Sequence, residues 1–484
     1  MMKPRAPILE PAPAIVAEMP LESWGLASLA LPVLLSSLGT SIVNVALPEL
    51  VVAFETSFQS VQWIVLAYLL VITSLVVSAG RLGDIFGRRR SLLLGIALFT
   101  GASLLCAVAP ALWQLILARG LQGLGAALMM ALSMAMVGET VSQARTGRAI
   151  GLLGTMSAIG TALGPSLGGL LIAGAGWRSI FLINLPLGLL AWWLAYRQLP
   201  EDRNHPAKAD AGFDVAGTLL LAASLAAYAL AMTLGQGRVD RLNMVLLVLF
   251  ACGIGLFVRA EAKARSPLIR LDLLRDPQFG SSLAQSALVS TVMMTTLVVG
   301  PFYLARGLGL DAAQLGVVMS AGPLVAALSA APAGRIADRF GAHSVACLGL
   351  VGMLAGALAL ATLPAAFGVP GYLAPLLFMT ASYALFQTAN NTSVMREVGP
   401  GQRGVVSGML NLSRNLGLIT GASVMGAVFA AASASPDIAA AHAAAVAGGM
   451  RTSFAVAAAL VLAAIAIAAG ARRLTVRDRS HAVR

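Results

Sequence analysis

Charge is what this 484-residue chain has least of. Asp, Glu, Lys and Arg make up 11% of it, against about 25% in a soluble globular domain. Such a chain cannot cover the surface of a soluble protein of this size. Acidic groups are scarcer than basic ones, 20 against 32, and none falls near the centre of an apolar run. Cysteine is also scarce. Cys106, Cys252 and Cys347 all lie inside apolar runs. They are odd in number and lack metal-ligand spacing, which implies no disulfide framework and no zinc site. His205, His343, His442 and His481 lie in or near loops and form no metal constellation. No metal and no other cofactor is therefore expected. A membrane enzyme would need a nucleophile, a metal cluster or paired acids within its apolar part, and none is seen. No loop is long enough for a soluble signalling domain.

What the chain does have is hydrophobic residues, 58% of the total. The runs lack the turns that separate β-barrel strands about every ten residues. They are long enough for helices that cross about 30 Å of hydrocarbon. Fourteen can be counted, near 26–48, 60–80, 91–109, 112–138, 148–173, 178–197, 214–234, 242–260, 281–305, 313–333, 343–364, 371–395, 404–432 and 452–471. An even number puts both termini on one side. The net charge of +12 sits in short clusters between the runs, which reads as a topology signal facing anionic lipid rather than a nucleic-acid surface. With the N-terminus inside, cytoplasmic tails and loops hold 25 of the 32 Lys and Arg, and the outer loops hold five: Arg178, Arg238, Arg241, Arg306 and Arg451. Lys3 and Arg5 precede a Pro-rich stretch and then a full-length span, so no cleavable signal is expected.

The sequence repeats itself. Gly80-Arg81-Leu82-Gly83-Asp84-Ile85-Phe86-Gly87 returns as Gly334-Arg335-Ile336-Ala337-Asp338-Arg339-Phe340-Gly341, 254 residues later. Gly151, Gly160, Gly164 and Gly169 return as Gly408, Gly417, Gly421 and Gly426, 257 later. Segments 1–6 thus map onto 9–14, with segments 7 and 8 inserted between two six-helix halves. The expected divisions are a mobile cytoplasmic tail 1–23, an N-terminal bundle 24–200, inserted helices and linkers 201–275, a C-terminal bundle 276–472 and a cytoplasmic tail 473–484. Paired halves suit a rocking carrier with a substrate site between them near the midplane.

Several residues are candidates for that mechanism. Asp84 and Asp338 sit in very short turns beside Arg88 and Arg339. They read as gate latches, in which the Asp faces a helix N-terminus or an Arg, or simply as turn and topology residues. Gly151, Gly160, Gly164, Pro165, Gly168 and Gly169 lie on one span. Small residues let membrane helices pack closely, so this is a static packing seam or a bendable interface between halves. Arg119 and Arg414 fall within spans. A charge there costs about 2.5–3.5 kcal/mol on insertion scales, so both are expected to face the interior. Asn411 and Asn415 flank Arg414 at helical spacing. Tyr383, Gln387, Asn390 and Asn391 share a face of segment 12, and Ser37, Thr40, Ser41 and Asn44 share one of segment 1. These groups either line a polar cavity or only bond helix to helix. Trp63, Tyr68, Tyr383 and Phe386 could stack on a planar ring.

Gly80 to Arg90 resembles the helix 2–3 loop signature of the major facilitator superfamily. Leu115 to Gly123, with Arg119 and Gln122, looks like its helix-4 motif. Gly151 to Gly169 resembles its antiporter-associated helix-5 motif. Thr40 to Pro48 and Trp177 to Pro186 resemble the 14-helix drug:proton antiporters. The resemblance covers essentially the whole chain. It implies an all-α membrane protein with the major facilitator fold, two pseudo-symmetric six-helix bundles and two inserted helices. It further implies a monomeric multi-pass carrier in the inner membrane, exporting small organic molecules by alternating access with protons as coupling ion. Asp84 and Asp338 would belong to cytoplasmic gates, Arg119 would face the cavity and couple proton or substrate, and Gly164 and Pro165 would seal against leak. Two positions depart from the pattern. Ile85 replaces a basic residue. Gly39 stands where the resembling exporters carry an acid, which argues against cationic substrates. The alternative is an importer of a neutral or anionic ring-bearing nutrient, such as a vitamin like riboflavin.

Overall fold

The computed structural model describes residues 20–141, 146–202, 215–234, 240–263, 276–362, 364–396, 403–433 and 442–482. All regular structure among them is helical. Among the described residues, fourteen helices are long and apolar enough to cross a bilayer, as the run count leads one to expect. The N-terminal six are α1 (Pro20–Ala53), α2 (Phe58–Phe86), α3 (Arg88–Val108), α4 (Leu112–Thr140), α5 (Thr146–Ala175) and α6 (Ser179–Gln198). Next come α7 (Val215–Thr233) and α8 (Arg241–Lys263). The C-terminal six are α9 (Pro277–Phe302), α10 (Ala312–Phe340), α11 (Ala342–Thr362), α12 (Gly368–Arg396), α13 (Arg403–Thr420) and α14 (Ala443–Ala482). A π-helical turn, Tyr303–Gly307, extends α9; another, Gly421–Met425, leads α13 into a last segment, Gly426–Ala432. The largest difference from the apolar runs is at α14. Arg451 interrupts the run there, but the helix begins before it in a stretch rich in alanine, the best helix former, and runs on past the apolar run from Arg472 to Ala482.

Burial of apolar stripes assembles these helices into two bundles. α1 lies along α5, α2 and α3 both pack on α4, and α6 covers α3 and α1. In the second bundle α9 packs on α13 and α14, α11 on α12 and α14, and α10 on α12. The internal repeat has a packing counterpart. A Cβ added to Gly160 would meet Leu34 and Ser37 of α1, and one added to Gly417 would meet Ala287 and Ser290 of α9. The same close approach thus recurs in each half.

α7 and α8 pack on each other, and α7 docks on α2. Trp63 donates its indole N–H to Thr233 at 3.1 Å, and the hydroxyls of Ser78 and Thr218 lie 2.7 Å apart. Only 11% of the α8 span is buried, so its apolar side chains face outward, where lipid would meet them. Fourteen alternating crossings put the start of α1 and the end of α14 on one face, the termini face.

Candidate functional site

The most unusual group in the molecule is Arg119. Among the described residues only two charged side chains are buried, Arg119 and Glu261. Arg119 is fully enclosed between α1, α2, α3 and α4. Its Nε donates to the Ile64 carbonyl at 3.0 Å, and Nη1 donates to the Gln122 amide oxygen. Gln122 donates onward to Ser103 at 2.7 Å. The guanidinium stacks 4.1 Å from the Tyr68 ring centroid, and the Tyr68 hydroxyl donates to the Ser36 carbonyl at 2.8 Å. Nη2 has no partner, and no described carboxylate bonds to the group. A cation held only by dipoles and a π face is a costly arrangement. In the repeat, Gly349 and Gly95 occupy equivalent places on α11 and α3. They press on Phe386 and Ser382, and on Met129 and Gly125, respectively. That register sets Leu376 and Met379 opposite Arg119 and Gln122. The polar network exists in one half only.

Arg119, Gln122 and Tyr68, expected as coupling or cavity residues, are all fully buried inside the N-terminal bundle. The cost of a mid-span charge turns Arg119 inward, as expected, but inward here means into the N-terminal bundle, whose other helices close over it. The Tyr68 ring is taken by Arg119 and is closed to a substrate. Trp63 is half-buried and turned to α7. Asn44 is buried too; its Nδ2 donates to Thr40 and Ser41 of its own helix at 3.1 and 3.3 Å, leaving Oδ1 unpartnered. Asn390 donates to the Ser282 carbonyl at 3.3 Å, inside the C-terminal bundle.

The two bundles touch at the face opposite the termini. Gln62 Nε2 donates to the Ala422 carbonyl at 3.1 Å. Phe58 packs edge-on against Phe302, with centroids 4.6 Å apart, and against Phe429 at 5.7 Å. Gly169 of α5 and Gly316 of α10 lie so close that a Cβ on either would meet the other's Cα at 2.8 Å. Toward the termini face the walls become polar. Thr40, Tyr383, Gln387, Asn391, Arg414 and Asn415 are half-buried and Asn411 is exposed. The side-chain oxygens of Gln387 and Asn391, one turn apart on α12, are buried without partners. Gly164 presses against Ser41 and Gly168 against Ile42, which makes the segment around Pro165 a close-packed seam with α1.

The latch candidates are partly visible. The Asp84 side chain and the surroundings of Gly151 lie outside the described residues. Arg88 donates to the Ala135 carbonyl at 3.4 Å. Asp338 and Arg339 are exposed, and Arg339 lies over the Phe340 ring at 5.4 Å. Three contributors had no pattern to announce them. Gln62 is a lone amide in an apolar run. Ser103 is one hydroxyl of many. Asp202, beyond the end of α6, accepts from the backbone N–H groups of Arg89 and Arg90 at 2.9 and 3.1 Å and so caps α3.

Two like-built helical bundles, closed against each other at one face and polar between at the other, define a membrane carrier. The Major Facilitator Superfamily model matches residues 29–422, and the chain belongs to that family of transporters, not to an enzyme class. It is 33% identical over 401 residues to "Multidrug resistance protein Stp" of Mycobacterium tuberculosis, covering 81% of this chain and 72% of the relative. It is 30% identical over 404 residues to "Riboflavin transporter RibZ" of Clostridioides difficile, covering 82% and 86%. In fold it resembles a bacterial homologue of the human lysosomal transporter Spinster, solved in an inward-facing, unoccupied conformation. The TM-score is 0.71 at 16% identity, with 96% of this chain and 99% of that one covered.

Proposed function

We propose that this transporter is an inner-membrane exporter of small organic molecules, acting as a monomer by alternating access with protons as coupling ion, and that its preferred substrates are neutral or anionic. The observation that carries the charge preference is the wall of α12 and α13. It offers amides, a phenol and the Arg414 guanidinium, and the described spans set no acid against them. A cation would meet repulsion at a site of low dielectric constant. A neutral or anionic ring could donate to Gln387 and Asn391 and stack on Tyr383. Contact between bundles at the face opposite the termini fits a state open toward the termini, with Asp84, Arg88, Asp338 and Arg339 as the gate that closes in the other state. Similarity to a multidrug-resistance protein supports export. Uptake of a ring-bearing nutrient is the second reading, favoured by the missing mid-span acid and by similarity to a riboflavin transporter.

The test is a panel of substrates differing only in charge, measured in proteoliposomes with a proton gradient of either sign. The neutral or anionic analogue is expected to move at least about tenfold faster than its quaternary ammonium counterpart, a difference of about 1.4 kcal/mol in barrier. Equal or faster movement of the cation overturns the preference, and the sign of accumulation separates export from uptake.

The orientation is tested separately. Reporter fusions at Arg203 and Asp437 should give opposite signals, cytoplasmic for the first and external for the second, because Lys and Arg gather on the termini side. Equal signals would defeat the topology.

A further inference from the structure

Away from the region between the bundles, the C-terminal bundle holds a polar cavity of about 230 Å³ near the termini face. Four of its helices line it: Gln278, Ser282 and Gln285 from α9, His343 from α11, Asn390 from α12 and Arg472 from α14. We propose that this cavity binds a phosphate-type anion, carried by a lipid headgroup or free in solution.

The lining chemistry is that of an anion site. It offers a guanidinium, an imidazole, two glutamines, an asparagine and serine hydroxyls, and no carboxylate lines it. The carboxylates nearest in the chain are Asp276, which caps α9 by accepting from Gln278 N–H, and Asp338 at the end of α10. Gln285 is 94% buried by its 6% exposure, lines the cavity, and makes no hydrogen bond to any described residue. Its amide is thus open to the cavity, with two N–H donors and a carbonyl free for what fills it.

The other half of the molecule shows what such a place can hold. Gly87 and Gly341 occupy equivalent places, both with positive φ, 95° and 86°, each just before a helix. In the N-terminal half a carboxylate, that of Asp202, lies at the start of α3 and accepts from Arg89 and Arg90 N–H. The equivalent residues of α11 are His343 and Ser344. There no described carboxylate takes that place, since α14 runs on as helix past Arg472 where the chain after α6 turns back to deliver Asp202. One half supplies its own anion to a helix start, and the other leaves a cavity bordered by the Arg472 guanidinium and the His343 imidazole. First-turn N–H groups and the helix dipole favour an anion there.

The experiment uses the full-length protein in neutral detergent. Its melting temperature is followed against sodium phosphate, with sodium chloride of matched ionic strength as control. In parallel, native mass spectrometry measures retention of phosphatidylglycerol against phosphatidylcholine. A saturable stabilisation by phosphate beyond chloride, with its midpoint raised about tenfold or more in Arg472→Gln and Gln285→Leu, supports the site with free anion as its source. Retention of phosphatidylglycerol over phosphatidylcholine, lost in the same variants, supports it with a lipid headgroup as the source. Arg472 and His343 are exposed, so Arg472→Gln and His343→Ala are expected to fold and carry the test if Gln285→Leu does not. No saturable response in either arm, or responses unchanged in Arg472→Gln and His343→Ala, overturns the proposal.

Discussion

Arg119→Met is expected to reach the membrane at normal levels and to transport about a hundredfold more slowly than the parent, a loss of about 2.7 kcal/mol. The two halves of this expectation have separate causes. Replacing buried charges by well-packed apolar side chains of similar volume can be neutral or stabilising where no charged partner is left behind, because the desolvation cost disappears. Arg119 has one terminal nitrogen without a partner and a π face beneath it; its removal leaves the Gln122 amide oxygen without a donor, at a cost of about 1–3 kcal/mol that the recovered desolvation offsets. Function is another matter, since a charge kept at such cost inside the bundle is a working part by default. Arg119→Lys retains the charge but loses the planar fork that reaches Ile64 and Gln122 together, and it should be nearly as slow. Transport by the Met variant at the parental rate would reduce Arg119 to packing. Unfolding of the Met variant with full function in the Lys variant would make the site a structural charge alone.

The second large effect is expected at Gly164. Its added Cβ falls on the Ser41 hydroxyl and close to the Ile42 backbone, at 2.9 Å from its nitrogen. Gly164→Val should therefore force α1 and α5 apart and lower expression and melting temperature sharply, by an overpacking cost of about 1–3 kcal/mol or more. Transport should fall with it. Ser41→Gly removes both side-chain atoms in the way, so the double variant Gly164→Ala/Ser41→Gly should recover stability that Gly164→Ala alone loses. Full stability of Gly164→Val would show that the seam yields, and failure of the double variant to recover would place the strain on the backbone.

The fold was legible in the sequence for a plain reason. Each span must be long and apolar to cross hydrocarbon, so hydropathy alone counts fourteen, and the Gly80–Gly87 and Gly334–Gly341 repeats locate the two halves. The candidate site was legible only in part. Helical spacing tells which residues share a face, and it did so for Gln387 and Asn391 on α12. It does not tell which neighbouring helix covers that face. A mid-span charge such as Arg119 announces that it faces protein rather than lipid, but not that α1, α2 and α3 close around it together with Gln122 and Tyr68. Asn390 was placed with Gln387, yet it turns into the C-terminal bundle toward Ser282. Gln62 and Asp202 act across long sequence separations, on Ala422 and on the start of α3, and no local pattern announces such partners.

The seam helices also differ in the kind of bend they carry. In α5 the irregularity is Pro165, which has no N–H to give, so its place in the helix is fixed by covalent structure. The matching helix of the second half carries Ala422 in place of the proline, inside a π turn that opens at Gly421 and in which every donor survives. Such a turn can close back to α-helix or pass along the helix by exchanging one carbonyl for the next. Of these two matched helices, one therefore carries a permanent crease and the other one that can travel. If the halves rock as units, the crease that can travel gives this helix of the C-terminal half room to change its register, where α5 has none at Pro165.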